Sequence, residues 1–463
     1  MKMEKNSSPA KKQILLKRDL TTGNIIRNIW YLALPLIIGN ILLGAFDLVD
    51  MAFVGRLGPS AVAAVAISGT IMGIIWIAIM GVSVGTVAMV ARFIGAKEFE
   101  RADNIATQSF LMSLIGGAIT AVVGFFSAEF LLKAMGARGE VLTLGVSYFK
   151  ILCLGALAIF PCVTLAFALR GSGDAHTPMK TLILSTILNI ILDPLFIFGW
   201  GWFPRLGVKG SAIATVIARV TEMTILLFIL IKGKSHLHLH LKRIRIETAT
   251  IGKILKIGIS VSLSELMWNI SGLVLMKIVA SYGTFAIAAY GIGMRLMLAI
   301  HMPGFGLSQT AATLVGQNLG ANKPKRAEKS AWFTLGFYEI IALTVMVIIF
   351  LFSSSIIAGF NDHPEVVKIG VSYLRFTGMA LAFMALSIIL AGAMQGAGDS
   401  FSPMLIDFIN LFLIRIPLAI FLAKILNLAT TGIWIGIAVS DTIGGICMTL
   451  RFCQGKWKHK VIS

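Results

Sequence analysis

Long, nearly uncharged runs of apolar residues dominate the chain and alternate with short polar or basic segments. Residues 60–90 and 330–357 are examples. Each run exceeds the ~20 apolar residues that cross the hydrocarbon core of a bilayer as an α-helix. Transmembrane β-strands would instead alternate apolar and polar positions over ~10 residues. The pattern therefore predicts an all-α membrane protein.

We predict twelve transmembrane helices. They cover residues 28–54, 60–90, 104–126, 143–169, 178–200, 210–231, 252–281, 285–315, 330–357, 368–395, 401–426 and 432–455.

The composition of the 463 residues agrees with a membrane protein. Hydrophobic residues make up 57% of the chain and charged residues 13%, against roughly 25% charged in soluble proteins. The mean hydropathy is +0.89. A soluble protein of this length would need more charge to cover its surface, which excludes a cytosolic enzyme, a secreted disulfide scaffold and a disordered chain.

The positive charge is distributed unequally between the two sides of the predicted bundle. The net charge is +19, and 27 Lys and Arg residues fall on the side of the termini against 7 on the other side. Cytoplasmic loops carry an excess of Lys and Arg, so we expect both termini in the cytoplasm and the protein in the inner (plasma) membrane. Orientation and contact with anionic lipid head groups explain this charge without a nucleic-acid partner.

The second half of the chain repeats the first half at a constant offset. The matching segments are Val90–Asp103 with Val315–Glu328, Arg170–Met179 with Gln395–Met404, and Gly58–Ile67 with Gly283–Ile292. Each repeat holds six predicted helices, so both repeats insert in the same direction and are related by an axis along the membrane normal.

The repeat divides the chain into two pseudo-symmetric six-helix lobes. We predict an N-terminal arm at 1–27, an N-lobe at 28–231, a cytoplasmic linker at 232–251, a C-lobe at 252–455 and a tail at 456–463. Two lobes that rock against each other are typical of secondary transporters. The sequence has no GxxxxGK[ST] motif for binding ATP, so an ion gradient would supply the energy. We expect no cofactor, and we expect the protein to be a monomer.

Polar residues of the N-lobe are predicted to meet in one layer near the outer membrane surface. Asp47 and Asp50 lie three residues apart on the first helix, and Asn189 and Asp193 lie four apart on the fifth, so each pair shares a helical face. Ser211 begins the sixth helix. Carboxylate, amide and hydroxyl oxygens suit a small cation or a proton. The structural alternative is that each acid caps a helix or pairs with a nearby Arg or Lys.

The C-lobe lacks this cluster, because the repeat places Leu275 opposite Asp50 and Ile414 opposite Asn189. We therefore expect an ion site in the N-lobe alone. Glu265 and His301 are candidate substrate contacts, as is Asp47. Arg415 and Asp441 are a candidate ion pair between the eleventh and twelfth helices.

Pro35 lies within the first helix, fifteen residues before Asp50. Proline removes a backbone donor and weakens a helix. Pro35 is therefore either a hinge that couples Asp50 to bending of the helix or a static kink.

Together these motifs resemble the multidrug and toxic compound extrusion (MATE) transporters. The resemblance covers about residues 28–455. The segments that show it are Asp50–Gly58, Gly95–Lys97, Arg170–Asp174, Asn189 with Asp193–Pro194, Pro303–Gly306, Val315–Ala321 and Gln395–Asp399.

The resemblance implies an antiporter that exports organic cations or drugs in exchange for Na⁺ or H⁺ by alternating access. It assigns cation coupling to Asp50, Asn189, Asp193, Ser211 and Tyr148, with Na⁺ as a candidate ligand of the first three. It also implies bending of the first helix at Pro35. Some relatives use a glutamate on the seventh helix, but Glu265 stands about one turn too early for that role. Asp47 occupies a position where asparagine is common.

Two other functions are weaker alternatives. A flippase for a lipid-linked saccharide, in the same broad superfamily, would favour a cationic cleft for pyrophosphate, whereas the acid cluster suits cations. A membrane-embedded enzyme would need a clustered catalytic set of His, Asp or Ser, and the sequence contains no such set.

Overall fold

The computed structural model describes residues 18–201, 203–239 and 246–460, and this part of the chain is almost entirely helical, without a β-strand. Residues 1–17 of the predicted arm, 240–245 of the predicted linker and 461–463 of the predicted tail lie outside the described residues. The prediction of an all-α membrane protein is confirmed.

The helices follow the predicted order. They are α1 Ile25–Gly55, α2 Pro59–Gly95, α3 Phe99–Ala134, α4 Gly139–Gly171, α5 His176–Phe198, α6 Val208–Ile231, α7 Thr248–Ala280, α8 Thr284–Gly320, α9 Pro324–Ala358, α10 Pro364–Met379 with Leu381–Gly396, α11 Phe401–Ile425 and α12 Ala429–Cys453. In the described residues, eleven are continuous and apolar enough to span a membrane, and α10 makes twelve if its two bent halves count as one span.

Several helices are longer than their apolar runs. The third runs from Phe99 to Ala134, and α7 begins at Thr248, inside the segment predicted as linker. Turns that project beyond the hydrocarbon core can carry polar residues, so hydropathy underestimates their length. The start of α1 shows how such an end is fixed: Asn24 Oδ1 accepts from the backbone N–H of Ile26 at 2.8 Å, an N-cap bond.

The internal repeat is visible in the backbone. Left-handed φ angles recur at positions that the repeat makes equivalent. The pairs are Gly58 with Gly283, Lys97 with Asn322, and Gly173 with Gly398. A positive φ strains most L-residues, so its recurrence at matching turns confirms that both halves use one chain path.

The chain forms two compact units. The first contains the residues up to Gly258 together with Gly316–Lys323, and the second contains Ile259–Val315 together with the residues from Pro324 onward. The first unit therefore includes the beginning of α7 and the end of α8.

In the first unit, α4 is the most buried of the described spans, because 78% of the residues in its most apolar segment are buried by the rest of the protein. Tyr148 of α4 packs in a cluster with Val54, Val65 and Val208, from α1, α2 and α6. Helices α1 and α5 run side by side in the same direction, because the rings of Tyr31 and His176 lie 4.7 Å apart near their starts and those of Phe53 and Phe198 lie 6.3 Å apart near their ends.

The second unit departs from regular α-helices in two places. Helix α10 is bent by 52° at Ala380. Helix α11 contains π-helical turns at Ile409–Arg415 and Phe421–Ile425. Pro417 follows the first of these turns and cannot donate a backbone hydrogen bond, which favours a departure from α geometry beside it.

The segments after α6 and α12 fold back onto their own units. After α6, the backbone N–H of His238 donates to Asp103 at 2.8 Å, and Ser235 Oγ donates to Asp174 at 2.9 Å. After α12, Lys458 lies 2.8 Å from Glu328, and Lys460 lies 3.3 Å from Asp399. The four acidic residues occupy matching places in the two units: Asp103 and Glu328 lie near the starts of α3 and α9, and Asp174 and Asp399 lie just before α5 and α11.

Candidate functional site

The acid cluster predicted for the N-lobe is assembled in the first unit. Asp50 of α1 and Asp193 of α5 are both buried, and Asp193 is fully enclosed. Their carboxyl groups lie within hydrogen-bonding range of each other. Two carboxylates at such a distance repel each other unless a proton or a cation lies between them, so the pair defines a site for positive charge.

Helix α6 positions the Asp50 carboxylate. Ser211 Oγ donates to Asp50 Oδ1 at 2.6 Å, and the Tyr148 hydroxyl lies within hydrogen-bonding range of Ser211. Ser211 reaches this depth because α6 starts directly against α5. A β-carbon at Gly210 would collide with the backbone of Phe196, so only glycine allows this approach.

Asn189 and Asp193 form the second half of the site. Asn189 Nδ2 donates to Asp193 Oδ1 at 3.3 Å, which turns the amide oxygen of Asn189 away from that bond. Within the part of the chain that is described, no hydrogen-bond partner reaches Asn189 Oδ1 or Asp193 Oδ2. A buried acceptor without a donor is unfavourable, and these two oxygens suit a hard cation such as Na⁺.

The structure thus brings together Asp50, Asn189, Asp193, Ser211 and Tyr148. Pro35 lies inside the continuous helix α1 on the same unit. Asp47, one turn before Asp50, is exposed on α1.

Glu265 and His301 belong to the second unit and are not part of the cluster. Glu265 is exposed on α7, where its backbone oxygen accepts from Asn269 at 2.8 Å. His301 of α8 is half-buried, with Nδ1 3.3 Å from the Tyr338 hydroxyl of α9.

The second unit contains a different buried polar cluster. Arg415 of α11 pairs with Asp441 of α12, as predicted, and Arg415 Nε donates to Ser440 at 3.1 Å. Ser440 in turn donates to Asn410 Oδ1 at 3.0 Å, and the Arg415 guanidinium lies 4.7 Å from the ring centre of Trp268. Arg415 is thus held by opposite charge, hydrogen bonding and an aromatic face.

Sequence reasoning missed two features of the first unit. Arg219 and Glu222 of α6 form an ion pair at 2.9 Å, in which Glu222 is buried and Arg219 is half-buried over the ring of Phe46. Thr186 of α5 is buried, and its hydroxyl has no partner in the described chain. The signal for Thr186 was present in its spacing of three and seven residues from Asn189 and Asp193.

A bundle of membrane-spanning helices, duplicated in sequence and with a buried carboxylate pair in one half, has the features of a membrane transporter. Comparison with known proteins identifies the group. The MatE family model matches residues 35–195 and again 261–421. The chain therefore belongs to the MatE family of transporters, which are not enzymes, and the double match confirms the internal repeat.

Individual relatives agree over nearly the whole chain. A probable multidrug resistance protein NorM of Thermotoga maritima is 27% identical over 93% of this chain and 93% of its own length. A protein of Shewanella oneidensis named FAD transporter is 28% identical over 95% of this chain and 97% of its own length. A crystal structure described as MATE in the bent conformation superposes with a TM-score of 0.88, at 26% identity over 94% of this chain and 97% of the other.

Proposed function

We propose that this protein is an antiporter that exports organic cations and drugs from the cytoplasm in exchange for Na⁺ or H⁺. The observation that carries the proposal is the buried pair of Asp50 and Asp193, beside which Asn189 Oδ1 and Asp193 Oδ2 have no hydrogen-bond partner among the described residues. Oxygen atoms in this arrangement favour an entering cation, because it relieves both the carboxylate repulsion and the unmet acceptors.

The coupling step follows from the contacts of each carboxylate. Ser211 keeps one oxygen of Asp50 hydrogen-bonded, and Asn189 keeps one oxygen of Asp193 hydrogen-bonded. The other oxygens remain available to a proton or a Na⁺ ion. We propose that occupation of this site by the coupling ion favours one conformation of the transporter and that loss of the ion favours the other, as differential affinity requires.

Helix α1 is the proposed link between the ion and the conformational change. Asp50 and Pro35 lie on the same continuous helix, and Pro35 leaves the carbonyl of Tyr31 without its helical donor. A change of charge at Asp50 alters its bond to Ser211 on α6, and bending at Pro35 lets α1 respond. This is the hinge function proposed for Pro35 in alternating access.

The orientation and the substrates are part of the same proposal. The 27 Lys and Arg residues on the side of the termini favour cytoplasmic termini in the plasma membrane. The name of the Thermotoga maritima relative supports drug export, and Asp47, Glu265 and His301 are proposed as substrate contacts. A single chain carries both lobes, so we propose that the monomer transports, surrounded by membrane lipids.

Reconstitution in liposomes tests the proposal. Ethidium movement is followed under a pH gradient and, separately, under a Na⁺ gradient of equal magnitude, with FAD as a comparison substrate. Ethidium export driven by either gradient, without chemical change of the dye, supports the antiporter. Movement of FAD without ethidium would overturn the assignment to organic cations.

A further inference from the structure

Three buried side-chain oxygens on one face of α5 have no hydrogen-bond partner within the described residues: Thr186 Oγ1, Asn189 Oδ1 and Asp193 Oδ2. The residues are three and four positions apart, so they stay within about 60° of one another around the helix and extend ~10 Å along its axis. The row starts at the carboxylate pair and continues toward the end of α5 that carries His176.

Thr186 differs from other buried threonines of the protein. Such residues usually bond to a carbonyl of their own helix: Thr181 Oγ1 donates to the Pro178 oxygen at 3.0 Å, and Thr107 Oγ1 donates to the Asp103 oxygen at 2.8 Å. Thr186 makes no such bond to the described chain, although it is only 5% exposed. A buried hydroxyl without a hydrogen-bond partner destabilises a fold. A ligand bound to Thr186 Oγ1 would remove this cost.

The clustering of these atoms is specific to α5. No other stretch of eight described residues holds more than one buried side-chain polar atom without a hydrogen-bond partner. Helix α1 runs beside this part of α5, because Gly39 of α1 packs against Leu182, one turn before Thr186. The row of oxygens therefore lies inside the first unit, where a cation would be shielded from lipid.

We propose that Thr186 Oγ1 and Asn189 Oδ1 form a second position for a partly dehydrated monovalent metal cation, Na⁺, one helical turn from the Asp50–Asp193 pair. The inference rests on the proposed cation-coupled function. Hydroxyl and amide oxygens ligate a hard metal cation, but neither group holds a proton in place of a carboxylate. Thr186 lies between the Asp50–Asp193 pair and the proposed cytoplasmic end of α5. Na⁺ that leaves the carboxylate pair toward the cytoplasm therefore passes through this second position.

Three conservative variants test the second position in the purified full-length protein. Thr186→Val removes the hydroxyl and keeps the shape, Thr186→Ser keeps the hydroxyl, and Thr181→Val is the control because its hydroxyl is already bonded within α5. Thermal denaturation is followed while NaCl replaces choline chloride at constant ionic strength. Ethidium efflux from liposomes is measured over the same Na⁺ range.

The expected results separate a ligand from a structural residue. For Thr186→Val, the Na⁺ concentration for half-maximal stabilisation and transport rises about tenfold or more, since a hydrogen-bonding group facing a charge is lost. Its denaturation midpoint without Na⁺ rises, because an unpaired buried hydroxyl is gone. Thr186→Ser keeps the Na⁺ dependence of the wild type. Thr181→Val lowers the midpoint and leaves the Na⁺ dependence unchanged.

Two results would overturn the second position, and they differ in what they say about export. Wild-type Na⁺ dependence in Thr186→Val would overturn the second position alone. A wild-type protein that exports ethidium under a pH gradient and shows no response to Na⁺ would also overturn it, while export coupled to H⁺ would stand. Failure of both gradients to drive export, with Na⁺ titrations still shifted by Thr186→Val, would reject the proposed function and support the binding position.

Discussion

The backbone of Gly95 in α2 passes so close to the carbonyl oxygen of Gln317 in α8 that no β-carbon fits between them. The contact is duplicated by the repeat, because Gly320 meets the carbonyl of Arg92 in the same way. Arg92 and Gln317 are equivalent positions of the two repeats, and so are Gly95 and Gly320. Two equivalent glycines thus allow the ends of α2 and α8 to cross at backbone distance within the first unit.

Replacement of either glycine by alanine should open this crossing. We expect Gly95→Ala and Gly320→Ala each to cost about 1–3 kcal/mol, the usual penalty for overpacking, and to lower the midpoint of thermal denaturation. Gly69→Ala is the matched control on α2, since nothing lies within 4 Å of a β-carbon there. Equal midpoints for Gly95→Ala and Gly69→Ala would show that the crossing contributes nothing to stability.

The carboxylate pair yields a prediction for transport. Asp50→Asn and Asp193→Asn keep the shape of each side chain and remove its charge, so the site no longer attracts a cation. Gradient-driven ethidium export should fall to the level of empty liposomes, while expression and the size-exclusion profile stay those of the wild type. Asp362→Asn, at an exposed position between α9 and α10, is the control. Wild-type export by either site variant would remove that residue from the coupling mechanism.

The hinge assignment predicts opposite effects on stability and transport. Pro35→Ala restores a backbone N–H that can bond the carbonyl of Tyr31, so α1 should gain up to about 3 kcal/mol of stability and the denaturation midpoint should rise. Export should slow, because hinge substitutions change turnover and apparent affinity together. Pro161→Ala is the matched control, because Pro161 also lies inside a continuous helix of the first unit, α4. Unchanged export by Pro35→Ala would mean that Pro35 only fixes the shape of α1.

The sequence was sufficient for the features that depend on composition and periodicity. Long apolar runs predicted every span, and the repeated motifs predicted the duplication that the left-handed positions at Gly58 and Gly283 confirm. Asp50, Asn189 and Asp193 could be predicted to meet because ionisable and amide side chains are costly inside a membrane and rarely lie there without a partner. Ser211 followed from its similar depth in the membrane, whereas Tyr148 was implied only by the resemblance to the MATE transporters.

Other features are not encoded in the pattern of hydropathy. The bend of α10 at Ala380 and the π-helical turns of α11 interrupt apolar runs without a change in hydropathy. Thr186 has the polarity of many threonines in membrane helices, and only the missing bond of its hydroxyl within the described residues distinguishes it. The requirement for glycine at Gly95 is likewise set by the carbonyl of Gln317, which belongs to the other half of the sequence.

The buried ion pair of the second unit yields the last prediction. Asp441→Asn leaves the Arg415 charge inside the bundle without its counter-ion, and Arg415→Met leaves the carboxylate alone, so each single variant should lose about 3–5 kcal/mol of stability. The double variant Arg415→Met/Asp441→Leu leaves no uncompensated charge and should denature at a higher temperature than either single variant.

Because the acid cluster of α1 and α5 lies in the first unit, the double variant should also keep gradient-driven ethidium export. Thermal denaturation and liposome efflux of the three variants measure both effects. A stable double variant that has lost export would show that Arg415 and Asp441 take part in transport. A double variant as unstable as the worse single variant would show that the ion pair is not what stabilises α11 against α12. The contacts of Arg415 with Ser440 and Trp268 would then supply that stability.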